Sequence, residues 1–104
     1  MVPQHEVARL KANKHRFYRV ELRRELKAAS RRDGLRRVVE LLLDPPDELG
    51  TVLVFELLCW VRTMGPDRVH SLLGEVGVSA WREVGKLTRR ERMQLAAVLA
   101  ERSL

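Results

Sequence analysis

Residues 4–33 contain neither glycine nor proline, and this uninterrupted stretch constrains the fold more than any other feature of the sequence. Pro3 stands just before it, where the first turn of a helix accepts a proline. Apolar side chains in its second half recur every three or four residues, the spacing of one helix face: Tyr18, Leu22, Leu26 and Ala29. The sequence therefore predicts a long helix from residue 3 or 4 to about residue 30, with its second half packed on the core.

The first half of this predicted helix carries many cations, among them Arg9, Lys11 and Lys14, and few large apolar residues. Such a segment either projects as an arm or frays into solvent, and the sequence leaves both alternatives open for residues 1–14. We divide the chain accordingly into a long basic N-terminal helix, residues 1–32, and a compact helical core, residues 33–104.

Glycine, proline and capping residues divide the rest of the chain into shorter helices. Asp33 is a suitable N-cap for a helix over residues 34–43. A loop follows at residues 44–47, because proline forces the residue before it out of the α region. Further helices are predicted over residues 52–63, 66–76, 80–84 and 88–102, the last opened by the capping-box pattern of Thr88 and Glu91.

Residues 52–54, Val-Leu-Val, could also begin a β-strand. An isolated strand would have no partner for its backbone hydrogen bonds, so we prefer a helix here. The predicted fold class is all-α, with a long N-terminal helix followed by a compact bundle of about five shorter helices. Trp60 and Trp81 are both expected in the core of this bundle.

The chain has a net charge of +6, and its charges are unevenly distributed. Residues 1–40 carry twelve Lys and Arg against five acids, residues 41–80 carry two against six, and residues 81–104 carry six against three. This basic–acidic–basic order favours a polyanion-binding face formed by the two ends over ordinary solubilising charge. Arginine outnumbers lysine sixteen to four, which suits bidentate contacts to phosphate.

The sequence offers no catalytic or cofactor-binding motif. Its single cysteine, Cys59, excludes an internal disulfide and a cysteine-based zinc site, and its apolar neighbours favour a packing role. His5, His15 and His70 have no partners at metal-ligand spacing. We therefore expect no enzyme, no metal, no cofactor and no small-molecule substrate. The N-terminus has no signal-peptide pattern and no apolar run could span a membrane, so a cytoplasmic location is expected.

Residues 62–68, Arg-Thr-Met-Gly-Pro-Asp-Arg, join two predicted helices and could bring the backbone close to a phosphate. Gly65 has no Cβ to keep a ligand away, and Pro66 begins a helix whose first N–H groups attract anions. The primary DNA-binding candidates are Arg62, Thr63, Met64, Gly65, Pro66, Arg68, Arg82, Lys86, Arg89 and Arg90. The secondary candidates on the long helix are Arg16, Arg19, Arg23 and Lys27. A plain turn between helices would have much the same sequence.

Four segments match a known family in order and spacing over residues 16–102: residues 21–27 (ELRRELK), Val54 with Leu57 and Leu58 leading to Gly65, residues 75–78 (EVGV), and then Arg82, Leu87, Arg90, Arg92 and Leu95. In these positions the chain resembles the actinobacterial integration host factor family of small nucleoid-associated proteins. The resemblance implies a helix-two-turn-helix core that contacts the DNA backbone with little sequence preference and bends or compacts the duplex. It also implies a monomer on the nucleoid, with a recombinase or integrase as a further partner.

The chain departs from the family pattern at the expected DNA contacts. Pro66 stands where the family has lysine, and Glu83 and Gly85 stand where it has basic residues. The grip on DNA is therefore expected to be weaker or shifted, with Lys86 and Arg89 compensating. A divergent, phage-encoded member of the family would fit these departures.

The alternative function is a small protein-interaction module, for example a phage product that binds a host protein. In that case Trp81, Phe55 or Trp60 would form an exposed apolar patch instead of lying in the core. The exposure of Trp81 therefore discriminates between the two functions.

Overall fold

Five α-helices follow one another in residues 3–104, the part of the chain that the computed structural model describes. They are α1 (Gln4–Ala28), α2 (Arg31–Leu43), α3 (Val54–Cys59), α4 (Pro66–Val76) and α5 (Arg89–Arg102). Short 3-10 turns occupy Asp47–Leu49 and Val84–Lys86. The predicted all-α class and the long N-terminal helix are confirmed, although four α-helices follow α1 where about five were predicted. None of the helices in these residues combines the length and apolar character that a bilayer crossing requires.

The second half of α1 packs on the core through Leu22 and Leu26, which are buried, as the spacing predicted. Its first half is helical but exposed to solvent, and Val7 and Leu10 lie on its surface. A helix of this length spans about 37 Å, which accounts for most of the 50 Å long dimension of the molecule. The division into an arm and a core stays a prediction, and its first two residues lie outside the described part.

Helices α2 and α5 make the most extensive contact between helices and run antiparallel. Arg92 near the start of α5 donates a hydrogen bond of 2.9 Å to the carbonyl of Leu42 near the end of α2.

The predicted N-cap of α2 was wrong. Ser30, not Asp33, caps the helix, because its hydroxyl accepts a hydrogen bond from the backbone N–H of Asp33. The helix therefore begins three residues earlier than predicted.

Helix α3 is much shorter than the predicted helix over residues 52–63. The extended residues before it pair across the chain, with an isolated antiparallel bridge between Leu53 and Glu83. The N–H of Val84 donates to the carbonyl of Val52, and the N–H of Gly85 donates to that of Gly50. Residues 52–54 thus have a partner for their backbone hydrogen bonds. Local sequence patterns could not identify this partner, because it lies about 30 residues further along the chain.

The predicted helix over residues 80–84 is wrong for the same reason. These residues use their backbone groups across the bridge, and the N–H of Val54 donates to the carbonyl of Arg82. Gly85 lies so close to the facing loop that a Cβ there would sit 2.8 Å from the carbonyl oxygen of Gly50. The expected burial of Trp81 is also wrong, because this turn leaves 66% of its surface exposed.

Candidate nucleic-acid interface

The turn between α3 and α4 has an unusual backbone. Thr63 adopts a φ of 66°, in the left-handed region that β-branched residues rarely occupy. The N–H of Met64 donates to the carbonyl of Val61, and the Met64 side chain is buried. The turn is therefore anchored in the core by Met64, and the strain at Thr63 is held in place by that anchor.

Gly65 and the first turn of α4 leave backbone donors free. The N–H groups of Gly65, Asp67 and Arg68 donate to no acceptor among residues 3–104, and Pro66 has no N–H group. The backbone angles of Gly65 (φ −75°, ψ 164°) suit any residue, and a Cβ there would meet no protein atom within 4 Å. The backbone angles thus do not require glycine at this position. Its lack of a side chain leaves the surface of the turn uncovered.

Two surface hollows meet at this turn. The first, which we call the turn hollow, is lined by Thr63, Gly65, Pro66, Asp67, Arg68, Ser71 and Arg102. The second, the junction hollow, is lined by Lys27, Cys59, Trp60, Val61, Arg62, Thr63, Met64 and Gly65. They share Thr63 and Gly65, and Lys27 brings the end of α1 to the turn.

Two further hollows continue this surface along α1. One is lined by Val20, Arg23, Arg24, Lys27 and Ala28, and the other by Arg16, Arg19, Val20, Arg23, Glu56 and Trp60. Because neighbouring hollows share residues, all four form one continuous strip, which we call the basic surface. The structure thus brings the predicted turn residues and the predicted α1 residues together.

The charge of the basic surface is strongly unbalanced. Eight cations line its four hollows, against the two acids Asp67 and Glu56. Arg24 pairs with Glu21, and Arg102 pairs with Glu75 at 2.7 Å. The other six form no salt bridge with any residue in 3–104: Arg16, Arg19, Arg23, Lys27, Arg62 and Arg68. Such an excess of unpaired positive charge attracts polyanions.

The remaining predicted residues line none of these four hollows. The guanidinium of Arg82 lies 3.4 Å from the carboxylate of Glu91 and donates a hydrogen bond to the carbonyl of Lys86. The ammonium of Lys86 lies 3.9 Å from Glu83. Arg82 therefore ties the turn before α5 to the capping box of that helix, in which Thr88 and Glu91 bond each other's backbone N–H groups as predicted.

Arg89 and Arg90 are exposed in the first turn of α5 and form no salt bridge with residues 3–104. They lie apart from the four hollows that make up the basic surface. Their role as DNA contacts stays a prediction.

Sequence reasoning missed two cations and the one aromatic ring of the basic surface. Arg102 reaches the turn hollow only because α5 packs beside α4, so no local pattern could have identified it. Arg24 follows Arg23 on α1, and the charge of this helix could have indicated it. Trp60 was assigned to the core, but it is half-buried and lines two of the hollows.

Cys59 and the histidines are the residues that the sequence analysis considered for catalysis or metal binding. Burial, and the nearby carboxylate of Glu56, raise the pKa of the Cys59 thiol, which disfavours the reactive thiolate. No group of three or more His, Cys, Asp or Glu in residues 3–104 is placed to hold a metal ion.

Three aromatic rings form a separate surface cluster. The Phe55 ring lies 4.6 Å from that of His70 and 5.5 Å from that of Trp81, measured between ring centres. None of the three residues lines any of the four hollows, so the cluster lies outside the basic surface. We call these three residues the aromatic cluster.

Comparisons with family models, with curated proteins and with solved structures find no match to this chain.

Proposed function

We propose that this protein binds the phosphate backbone of duplex DNA through its basic surface, with little sequence preference, and bends or compacts the duplex. The observation that carries the proposal is the continuous strip of six unpaired cations, which joins the turn at Gly65 to α1. Free N–H groups at the start of α4 add donors for a phosphate at the same turn. No motif for reading base edges accompanies them, so backbone contacts dominate.

In this proposal α3, the turn and α4 correspond to the helix-two-turn-helix element of the actinobacterial integration host factor family. The resemblance in sequence supports this assignment, as does the open glycine at 65, whereas Pro66 departs from the family pattern. The protein would then act on the nucleoid as an architectural factor, supporting site-specific recombination, and would work without a cofactor. Bending is the part of the proposal that rests on the family resemblance, and its elastic cost would be offset by the additional phosphate contacts that a bend permits.

The test is a gel-shift titration of the purified protein with a duplex of arbitrary sequence, beginning at about 100 mM salt. Six neutralised phosphates should give a slope of log K against log salt of about −5. Scrambled duplexes should bind within a few-fold of one another. A slope near zero, or tight selection of one sequence from a random pool, would contradict the proposal.

Charge-reversal variants locate the surface. Arg23→Glu combined with Arg68→Glu should abolish the shift and leave the helical circular-dichroism signal unchanged. A matched control is Arg36→Glu combined with Arg32→Glu, which changes the net charge equally at two exposed residues outside the four hollows. Equal losses in both double variants would mean that net charge, rather than this surface, governs binding.

A second candidate function is docking of a partner protein on the aromatic cluster, which the 66% exposure of Trp81 favours. Arg82, which follows Trp81 in the chain, is already ion-paired with Glu91. A recombinase docked on the cluster would leave the residues that line the basic surface available to DNA, because none of the three rings lines a hollow of that surface. Trp81→Ala should then weaken recombinase binding and leave DNA affinity unchanged. Equal recombinase binding by both forms would remove this candidate.

A further inference from the structure

Trp60 lies at the middle of the basic surface. It follows the last residue of α3 and lines both the junction hollow, with Lys27 and Arg62, and the hollow along α1, with Arg16, Arg19 and Arg23. No other aromatic side chain lines any of the four hollows. One indole ring is thus placed between two groups of unpaired cations.

Trp60 packs against the core but also keeps part of its indole at the surface. The side chain is half-buried, so packing uses only part of its surface. Its N–H forms no side-chain hydrogen bond within residues 3–104, and no buried side-chain nitrogen or oxygen in that range lacks a partner. The indole N–H therefore reaches solvent. The exposed part of the indole adds an aromatic surface to a strip that is otherwise lined by charged, aliphatic or small polar side chains.

We propose that Trp60 stacks on an unpaired base, so that the protein prefers DNA with a short single-stranded gap over continuous duplex. This inference rests on the proposed DNA binding. Aromatic faces stack on any base, and cations on either side can hold the adjoining phosphates. In an intact duplex the bases are stacked inside the helix, and an indole at the level of the backbone cannot reach them.

The junction hollow can accommodate such a base. It has a volume of about 530 Å³ and is open to solvent, with Lys27 and Arg62 among its lining residues. The smaller hollow on the other side of Trp60, with a volume of about 210 Å³, places Arg16, Arg19 and Arg23 within reach of the strand that continues from the base. The arrangement of one ring and flanking cations is the one by which proteins bind single strands without reading their sequence.

The experiment compares two DNA molecules of the same length and sequence, one a continuous duplex and one with a short gap in one strand. Affinities are measured by fluorescence anisotropy for the natural protein and for Trp60→Phe, Trp60→Leu and Trp81→Leu. We expect the natural protein to bind the gapped DNA about tenfold more tightly, the effect of roughly one stacked base. Trp60→Phe, which keeps a ring, should retain most of this preference.

Trp60→Leu, which keeps apolar bulk without a ring, should bind both DNA molecules equally. Trp81→Leu should keep the full preference. The inference is overturned if the natural protein binds both DNA molecules equally, or if Trp60→Leu weakens both to the same extent. In either case a salt slope of about −5 on continuous duplex would leave the proposed DNA binding intact, whereas failure to bind either molecule overturns both.

Discussion

Replacing Arg82 and replacing Arg23 by glutamine should affect two different properties of the protein. The first change should lower its stability, and the second should weaken its binding to DNA. Both residues were predicted as DNA contacts, but the structure gives them different surroundings. Arg82 is held by Glu91 and by the carbonyl of Lys86, whereas Arg23 lines two hollows of the basic surface and has no ion-pair partner in residues 3–104. We therefore expect Arg82→Gln to destabilise the fold and Arg23→Gln to weaken DNA binding.

The magnitudes follow from the contacts. Arg82 loses one partly exposed ion pair and one hydrogen bond, each worth about 1 kcal/mol at such a site, so the free energy of unfolding should fall by about 1–2 kcal/mol. In a chain of this size that lowers the melting temperature by roughly 5–10 °C. Arg23→Gln should change stability by less than about 0.5 kcal/mol. It should also change the salt slope from about −5 to about −4, because one phosphate contact is lost.

Two measurements on the same preparations test this prediction. Thermal melting followed by circular dichroism gives the stability, and gel-shift titrations at several salt concentrations give the slope. The reasoning is refuted if Arg82→Gln reduces the slope by about one while melting normally, since Arg82 would then be a phosphate contact. It is equally refuted if Arg23→Gln lowers the melting temperature and leaves the slope unchanged.

Three further predictions concern the fold. Gly85→Ala should lower the free energy of unfolding by about 2–3 kcal/mol in urea titrations, because the new Cβ would lie 2.8 Å from a carbonyl oxygen of the facing loop. The matched Gly74→Ala, which adds a Cβ in open space within a helix, should raise it by about 0.5–1 kcal/mol; equal effects would contradict the close approach. Thr63→Gly should raise the urea midpoint by relieving the left-handed backbone, worth about 1 kcal/mol before the entropy of glycine is subtracted; a lower midpoint would show that the threonine side chain stabilises the turn. The backbone N–H of Thr88 holds the pKa of Glu91 below its ordinary value of 4.5, so this carboxylate stabilises the fold above that pH and the contribution is lost as the pH falls through the lower folded value. Glu91→Gln should therefore flatten the acid side of the profile of melting temperature against pH, and an unchanged profile would argue against this role.

Local sequence patterns predicted the elements whose signals lie within a few residues of each other. The capping box of Thr88 and Glu91, the proline that begins α4 and the Leu22 and Leu26 spacing on α1 all act over one helical turn. Ser30 and Asp33 show the limit of such reasoning. Both side chains can cap a helix, and the choice between them depends on where the chain leaves α1.

Contacts between distant parts of the chain could not be predicted in this way. The bridge between Leu53 and Glu83 shortened α3 and replaced a predicted helix with a turn, and this exposed Trp81. The same limit applies to the candidate site. The charge of residues 1–40 indicated that α1 would carry cations, but only the fold shows that Lys27 adjoins the turn and that Arg82 has internal partners.

The exposed first half of α1 has a thermodynamic consequence. Residues 4–14 make no buried contact, and a helical segment of this length without tertiary packing is marginally stable in water. Its amide protons should exchange almost as fast as those of a free peptide, and heating should unwind it gradually before the rest of the molecule unfolds cooperatively. Two processes therefore contribute to the helical signal of this protein. The temperature at which the gradual unwinding ends is the temperature at which the first half of α1 has changed from a rod into a flexible chain.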